Sequence, residues 1–287
     1  MPAPELLADP YTAHRCEDGE ALHIRRQAEV CQELYPDQKV LIQPVPKGGI
    51  AIRTLPAFDG KLNRAVGCGE EGELADADMK ELESVFAAVG LEPEIHLSPF
   101  AKSSAFESLV SRGYVEKGTL STYWCTPEQA AIEDTETCTT GAAVMVRRAT
   151  VDETLKFIEA SAMGFQTNGR SHELLRALAL IATRRTDTSL YFAFANDEIA
   201  GTAAMATMET AYGGVAHLYL DSTLPGYRGR GVQIALIQAR LLDAARLGLG
   251  VATTITRVGD GSARNAERAG LRLAYTTAIL TRQRGSP

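Results

Sequence analysis

Arg228-Gly-Arg-Gly231 is the run in this sequence whose residue types could do chemistry. Gly229 and Gly231 allow backbone N–H groups to approach a ligand closely. Val232 and Gln233 then open an apolar-periodic segment whose first N–H groups, as at any helix start, are unpaired. Arg228 and Arg230 add fixed positive charge. Together these features suit a phosphate. The run is no P-loop, because that needs Gly-x-x-x-x-Gly-Lys-Ser/Thr. It also lacks the third glycine of a dinucleotide fingerprint, since Ile234 stands in that position. The five histidines show no metal-ligand spacing, so no metal is expected. The scattered Cys16, Cys31, Cys68, Cys125 and Cys138 read as free thiols.

The elements that must position the run read clearly. Val215 to Leu220 is strand-like, and Asp221, Pro225 and Gly226 are turn residues. From Val232, the residues Ile234, Ile237, Leu241 and Ala245 mark one face of a helix. Upstream, strands are expected at 143–149, 189–195 and 199–208, with helices at 152–163 and 173–183. Downstream come a strand at 251–256, a short helix at 262–269 and a last strand at 271–282. The first half reads as helix 21–35, strands 39–43, 49–53 and 62–67, helix 76–89, strand 94–97, helix 103–111 and strand 118–124. Residues 1 to about 20 read as irregular and extended. The second half repeats the order of the first. Ser108 to Tyr114 parallels Ala266 to Leu271, each a short helix, a glycine stop and a strand start. The implied organisation is domain 1–125, linker 126–142 and domain 143–287.

The loop resembles the acyl-CoA loop of the GNAT (GCN5-related) N-acetyltransferases, Arg/Gln-x-x-Gly-x-Gly/Ala opening a helix. Arg228 and Gly231 match, and Gln233 stands where Gly or Ala is usual. Ser222-Thr-Leu-Pro before the loop and Ser262, Asn265, Arg268 and Gly270 after it are typical of one subgroup. The resemblance covers most of the chain and implies two tandem GNAT-like α/β domains. Each would be a mixed, mostly antiparallel sheet flanked by helices. The N-terminal loop counterpart, Gly67-Cys-Gly-Glu-Glu-Gly72, has no basic residue and carries Glu70 and Glu71 where pyrophosphate would lie, so one acetyl-CoA site is expected per chain, in the C-terminal half.

That resemblance implies acetyl transfer from acetyl-CoA, as co-substrate, to a primary amine of a small cationic molecule, with aminoglycosides and aminosugars (hence antibiotic resistance) among the acceptors. A non-catalytic acyl-CoA sensor and a protein or peptide acetyltransferase are the alternatives. The segment Arg228 to Gln233 would hold pyrophosphate. Leu218, Tyr219 and Leu220 would pair with the pantetheine arm as an added strand does, and Asn265 would touch the cofactor from the other side. A backbone N–H near Tyr219 or Leu220 would stabilise the thioester oxygen. Glu209, His217 and Asp221 are candidates to take the amine proton. Many members carry a tyrosine that protonates the leaving thiolate where this chain has Ala266; Tyr275, Tyr219, Ser262 or water could take its place.

Composition sets outer bounds. Length 287 suits two domains, 45% apolar and 23% charged content suit a globular protein, and the formal charge of −7 argues against nucleic acid. No run is apolar enough to span a membrane and no signal peptide is evident, so a cytoplasmic protein, with a homodimer open, is expected.

Overall fold

A computed structural model describes residues 6–128, 144–166 and 169–282. They divide into two compact units, one of residues 6–13, 20–122 and 273–282, the other of 14–19 and the described part of 123–272. In chain order the elements are α1 (Pro10–Leu34), β1 (Leu41–Pro44), β2 (Ile50–Arg53), α2 (Asp59–Leu62), β3 (Arg64–Val66), α3 (Asp76–Ala87), β4 (Glu94–Leu97), α4 (Ser103–Ser111) and β5 (Tyr114–Cys125). After them come β6 (Met145–Arg148), α5 (Thr154–Phe165), α6 (His172–Arg184), β7 (Thr188–Ala195), β8 (Glu198–Thr210), β9 (Gly213–Thr223), α7 (Val232–Arg246), β10 (Val251–Arg257), α8 (Gly261–Arg268) and β11 (Arg272–Arg282).

The first unit's strands lie in the order β1-β2-β3-β4-β11-β5. β1, β2 and β3 are antiparallel neighbours, β3 and β4 are parallel, and β11 runs antiparallel to β4 with Ala278 opposite Leu97. The amphipathic face of α3, Met79, Leu82, Val85 and Phe86, is buried with Leu109, Tyr114, Ala278 and Leu280. The final strand therefore contributes to this unit's core. The irregular N-terminal segment expected to residue 20 is instead helical from Pro10. Asp9 caps it by accepting from the Thr12 amide at 3.0 Å, and proline suits the first helical position. Glu17, Glu20, His23 and Gln27 are buried alongside Ala13, Cys16, Ile24 and Ala28, so polar residues interrupt the apolar period that would have announced the helix.

The second unit orders its strands β10-β9-β8-β7-β6. β6 to β9 form an antiparallel meander, and β10 returns parallel to β9 through α7. The β7–β8 hairpin turns on Asn196 and Asp197 with φ of 53° and 62°, the paired left-handed conformation that these two residue types tolerate. Phe157 and Ile158 of α5 pack with Ala179 and Phe192 in its core. Each unit thus joins an antiparallel set of strands to one parallel pair bridged by a helix, β3–α3–β4 in the first and β9–α7–β10 in the second. The fold class is mixed α/β with mostly antiparallel sheet flanked by helices. Most of the expected linker 126–142, with Cys138, lies outside the described residues. Cys16, Cys31, Cys68 and Cys125 are buried and none is in a disulfide among the described residues, and burial pushes the Cys31 thiol up to about 12. Among the described residues, no helix is long and apolar enough to cross a membrane.

Candidate cofactor site on the second unit

The site begins where two parallel strands part. The β9–β10 ladder runs from Val215 opposite Val251 to Leu218 opposite Thr254, and no later pair is formed among the described residues. β9 continues to Thr223 along β8 alone, and it does so through a bulge. Ala204 faces Tyr219 and Thr202 faces Ser222, so Ala203 meets both Leu220 and Asp221. Leu220 takes φ of +57°, a left-handed conformation uncommon for a side chain of its kind. The turn expected at Asp221 is therefore a continued strand with an extra residue. Such a bulge withdraws backbone groups from the ladder and re-aims them at the gap between the strands.

Asp221 is fixed from below. Arg240 of α7, wholly buried, donates from Nη1 to Asp221 Oδ2 at 3.0 Å and from Nη2 to Asp221 Oδ1. The same guanidinium donates to the carbonyl of Ala204 at 2.9 Å and, through Nε, to that of Leu236 at 2.9 Å. Ser222 is held by Thr202, hydroxyl to hydroxyl at 2.9 Å. α5 comes so close here that a Cβ on Gly164 would lie 2.5 Å from Ser222 Oγ.

Past the bulge, a single helical turn at Pro225–Tyr227 leads into the glycine loop. Gly229 and Gly231 have φ of 74° and 78°, and nothing lies within 4 Å of where either would carry a Cβ. Gly231 is the N-cap of α7, and no side chain caps that end, so the positive helix terminus faces open space. Arg230 lies over the Tyr227 ring at 5.5 Å, and Tyr227 donates to Glu198. Arg228 turns back instead, donating to Gly164 O at 3.0 Å, and so braces the loop against α5. Gln233 joins the loop to α8: its amide donates to Ser262 Oγ at 3.1 Å and its carbonyl accepts from Asn265 Nδ2 at 2.8 Å. Three residues singled out separately in the sequence thus form one polar bridge between the two helix starts.

The acid–base candidates are not gathered at one point. His217 and Tyr219, two residues apart on one face of β9, have ring centroids 6.1 Å apart. His217 is buried with Nδ1 2.9 Å from Thr253 Oγ1. Tyr219 Oη is 3.0 Å from Thr188 Oγ1, and the Arg185 guanidinium lies 5.8 Å from its ring centre. Burial raises the Tyr219 phenol, against the opposing charge of Arg185. Arg185 itself is paired twice with Asp187 at 2.8 Å. Glu209 is exposed and opposite Gly214, six residues along β9 from Leu220, roughly 20 Å from the bulge at strand spacing. Tyr275 belongs to the first unit, fully buried with Phe100 6.1 Å away. Arg240 escaped the sequence reading, although its signal was present: it lies four residues after Leu236 and three after Ile237, on the helix's apolar face.

The first unit's counterpart loop has two glycines in the same left-handed conformation and a different fate. Gly67 and Gly69 have φ of 73° and 76°, but a Cβ on Gly69 would sit 2.7 Å from that of Ala105. Gly69 O accepts from the Lys102 amide at 3.0 Å, and the Glu71 amide donates to Lys47 O at 2.9 Å. Glu70 accepts from buried Ser98, just past the end of β4, at 2.7 Å. This loop is satisfied by its own unit and bears carboxylates.

No family model matches the chain, and no curated protein matches it in sequence. Solved structures do. A GCN5-related N-acetyltransferase from Kribbella flavida aligns with a TM-score of 0.65 at 15% identity, covering 92% of this chain and 96% of that one. A functionally unknown conserved protein from Staphylococcus epidermidis aligns at 0.61 and 9% identity, covering 88% and 97%. A GCN5-related N-acetyltransferase from Sphaerobacter thermophilus aligns at 0.53 and 13% identity, covering 88% and 84%.

Proposed function

We propose that this chain, which has the GCN5-related N-acetyltransferase fold, is an acetyl-CoA-dependent N-acetyltransferase with one cofactor site, on its second unit. One observation carries the reading: β9 and β10 part at a bulge that leads into an uncapped, open two-glycine helix start. Pyrophosphate would be held by the N–H groups from Gly229 to Gln233 at the positive end of α7, with Arg230 beside them. The pantetheine arm would pair with Tyr219 and Leu220 in the gap, and Asn265, steadied by Gln233, would border it. The thioester oxygen would take a backbone N–H of the bulge. Arg228 would act by bracing the loop. His217 and Tyr219, on one face of β9, would handle the amine proton, directly or through water.

The acceptor we propose is a primary amine on a small cationic molecule, aminosugars and aminoglycosides included, handled in the cytoplasm. The net charge of −7 favours it. Two of the carboxylates that could hold an ammonium group are already engaged: Glu153 by Arg147 and Asp187 by Arg185. The attraction would come from the chain's charge as a whole. The second reading, a binding protein that retains acyl-CoA without turnover, draws on Ala266, buried where many such enzymes have the thiolate-protonating tyrosine.

Calorimetric titration with acetyl-CoA, followed by thiol release against a panel of amines, tests both. Stoichiometric binding with amine-dependent thiol release is expected. Gly229→Asp keeps a residue type that tolerates positive φ and sets a carboxylate in the phosphate cradle, so it should abolish binding without unfolding. Binding without release for any amine would favour the sensor; no binding by the unaltered protein would overturn both readings.

A further inference from the structure

We infer that Arg240 is a positioning residue for acetyl transfer: by binding Asp221 and the Ala204 carbonyl together, it fixes the β9 bulge that presents the backbone N–H groups to the thioester. The inference rests on the proposed function and goes beyond it. Among the described residues, Arg240 is the largest fully buried side chain. A buried guanidinium is costly to desolvate, and a hydrophobic residue of similar volume would serve packing at least as well. Its partners show what it does instead. Ala204 is opposite Tyr219, the last residue of β9 before the bulge, and Asp221 is the last residue inside it. Arg240 therefore clamps the bulge from both sides, one donor on the β8 backbone and two on the bulged strand's side chain. Leu220, held between those points at φ +57°, has its amide direction set by the clamp. Because Arg240 is on α7, the same helix whose N-terminus would receive pyrophosphate, it ties the phosphate cradle and the thioester site into one rigid piece.

Lysine cannot reproduce a planar fork that grips a carboxylate and a carbonyl at once. The test uses the full chain with Arg240→Lys, and with the double variant Arg240→Met/Asp221→Leu, which removes both charges together so that no lone charge remains buried. In both, kcat should fall on the order of 100-fold, the loss typical of a misplaced reacting group, while the Kd for CoA rises far less. A folded double variant with unaltered kcat would overturn the inference. A fall in CoA affinity as large as the fall in kcat would also overturn it, by showing a general loosening of α7. If the parent protein binds no acetyl-CoA, the proposed function has failed, and amide hydrogen exchange still decides the clamp. Faster exchange confined to Tyr219–Ser222 in Arg240→Lys supports it; unchanged exchange there rejects it.

Discussion

At the scale of single residues, His96 and Glu94 show how burial turns into pH dependence. His96 is buried in the first unit near Arg64 and Glu20, with Nε2 3.1 Å from Glu94 Oε1. Burial drives the imidazole below its ordinary range, Arg64 adds to this, and Glu94 and Glu20 oppose it. Glu94 is pushed up by burial, but hydrogen bonds from His96 and Lys117 outweigh that and bring it to about 2. A histidine depressed on folding takes up its proton more readily unfolded, so stability falls as pH drops below about 6.5. A depressed carboxylate contributes stability above about 4.3 that is lost on the way down to 2. Urea midpoints should therefore decline in two stages on acidification. His96→Gln should flatten the first stage, and a midpoint in that variant that still falls between pH 6.5 and 5 would contradict the assignment. These residues were invisible to a reading that looked for motifs, because a buried charge cluster has no sequence period. The same holds for Arg240, whose meaning depends on Asp221 nineteen positions away.

Among elements, helices and strands with a strong apolar period were legible, and those with polar residues facing inward were not. α3, β4, α4 and α7 fall within a few residues of their expected bounds, since glycine stops and periodicity agree there. α1 was half missed because its buried face carries carboxylates. The bulge in β9 was read as a turn because Asp and Pro following an apolar run carry the same local signal as a strand end. The loop was read as a helix start, which it is, but bracing by Arg228 and the Ser262–Gln233–Asn265 bridge join residues far apart in sequence and leave no local signal. That bridge predicts that Asn265→Ala costs about 1 kcal/mol and weakens CoA binding by loosening the α7–α8 mouth, measurable by denaturation and calorimetry together. The edge of the second unit depends on another junction. Asp243 of α7 accepts from Arg148 of β6 at 2.8 Å and from Tyr191 at 2.9 Å. Burial raises its pKa, but Arg148 and Tyr191 bring it below the ordinary value. Asp243→Ala should cost about 1–2 kcal/mol and speed amide exchange in β6 before any other strand; uniform exchange changes would show that β6 is held by something else.

For the molecule as a whole, the repeated strand–helix–strand pattern was readable from the parallel between residues 108–114 and 266–271, while the membership of the ends was not. Two units with a two-glycine loop each but only one open cradle predict a calorimetric stoichiometry of one acetyl-CoA per chain. Glu70→Ala should not create a second site, because Ala105 and the Lys102 amide also fill that loop. Two sites in the unaltered chain would sink the distinction. Sequence periodicity reports which residues are buried, never what buries them, so it could not tell that β11 completes the first unit's sheet beside β4. That membership has a consequence for how the protein is made. A ribosome releases residues in order, and the first unit's core lacks Ala278 and Leu280 until the second unit's residues have been made. The half synthesised first must wait with an unfilled slot beside β4 while the rest emerges. Its sheet can close only after β11 has emerged, so a nascent chain stalled before residue 270 should leave that half sensitive to protease.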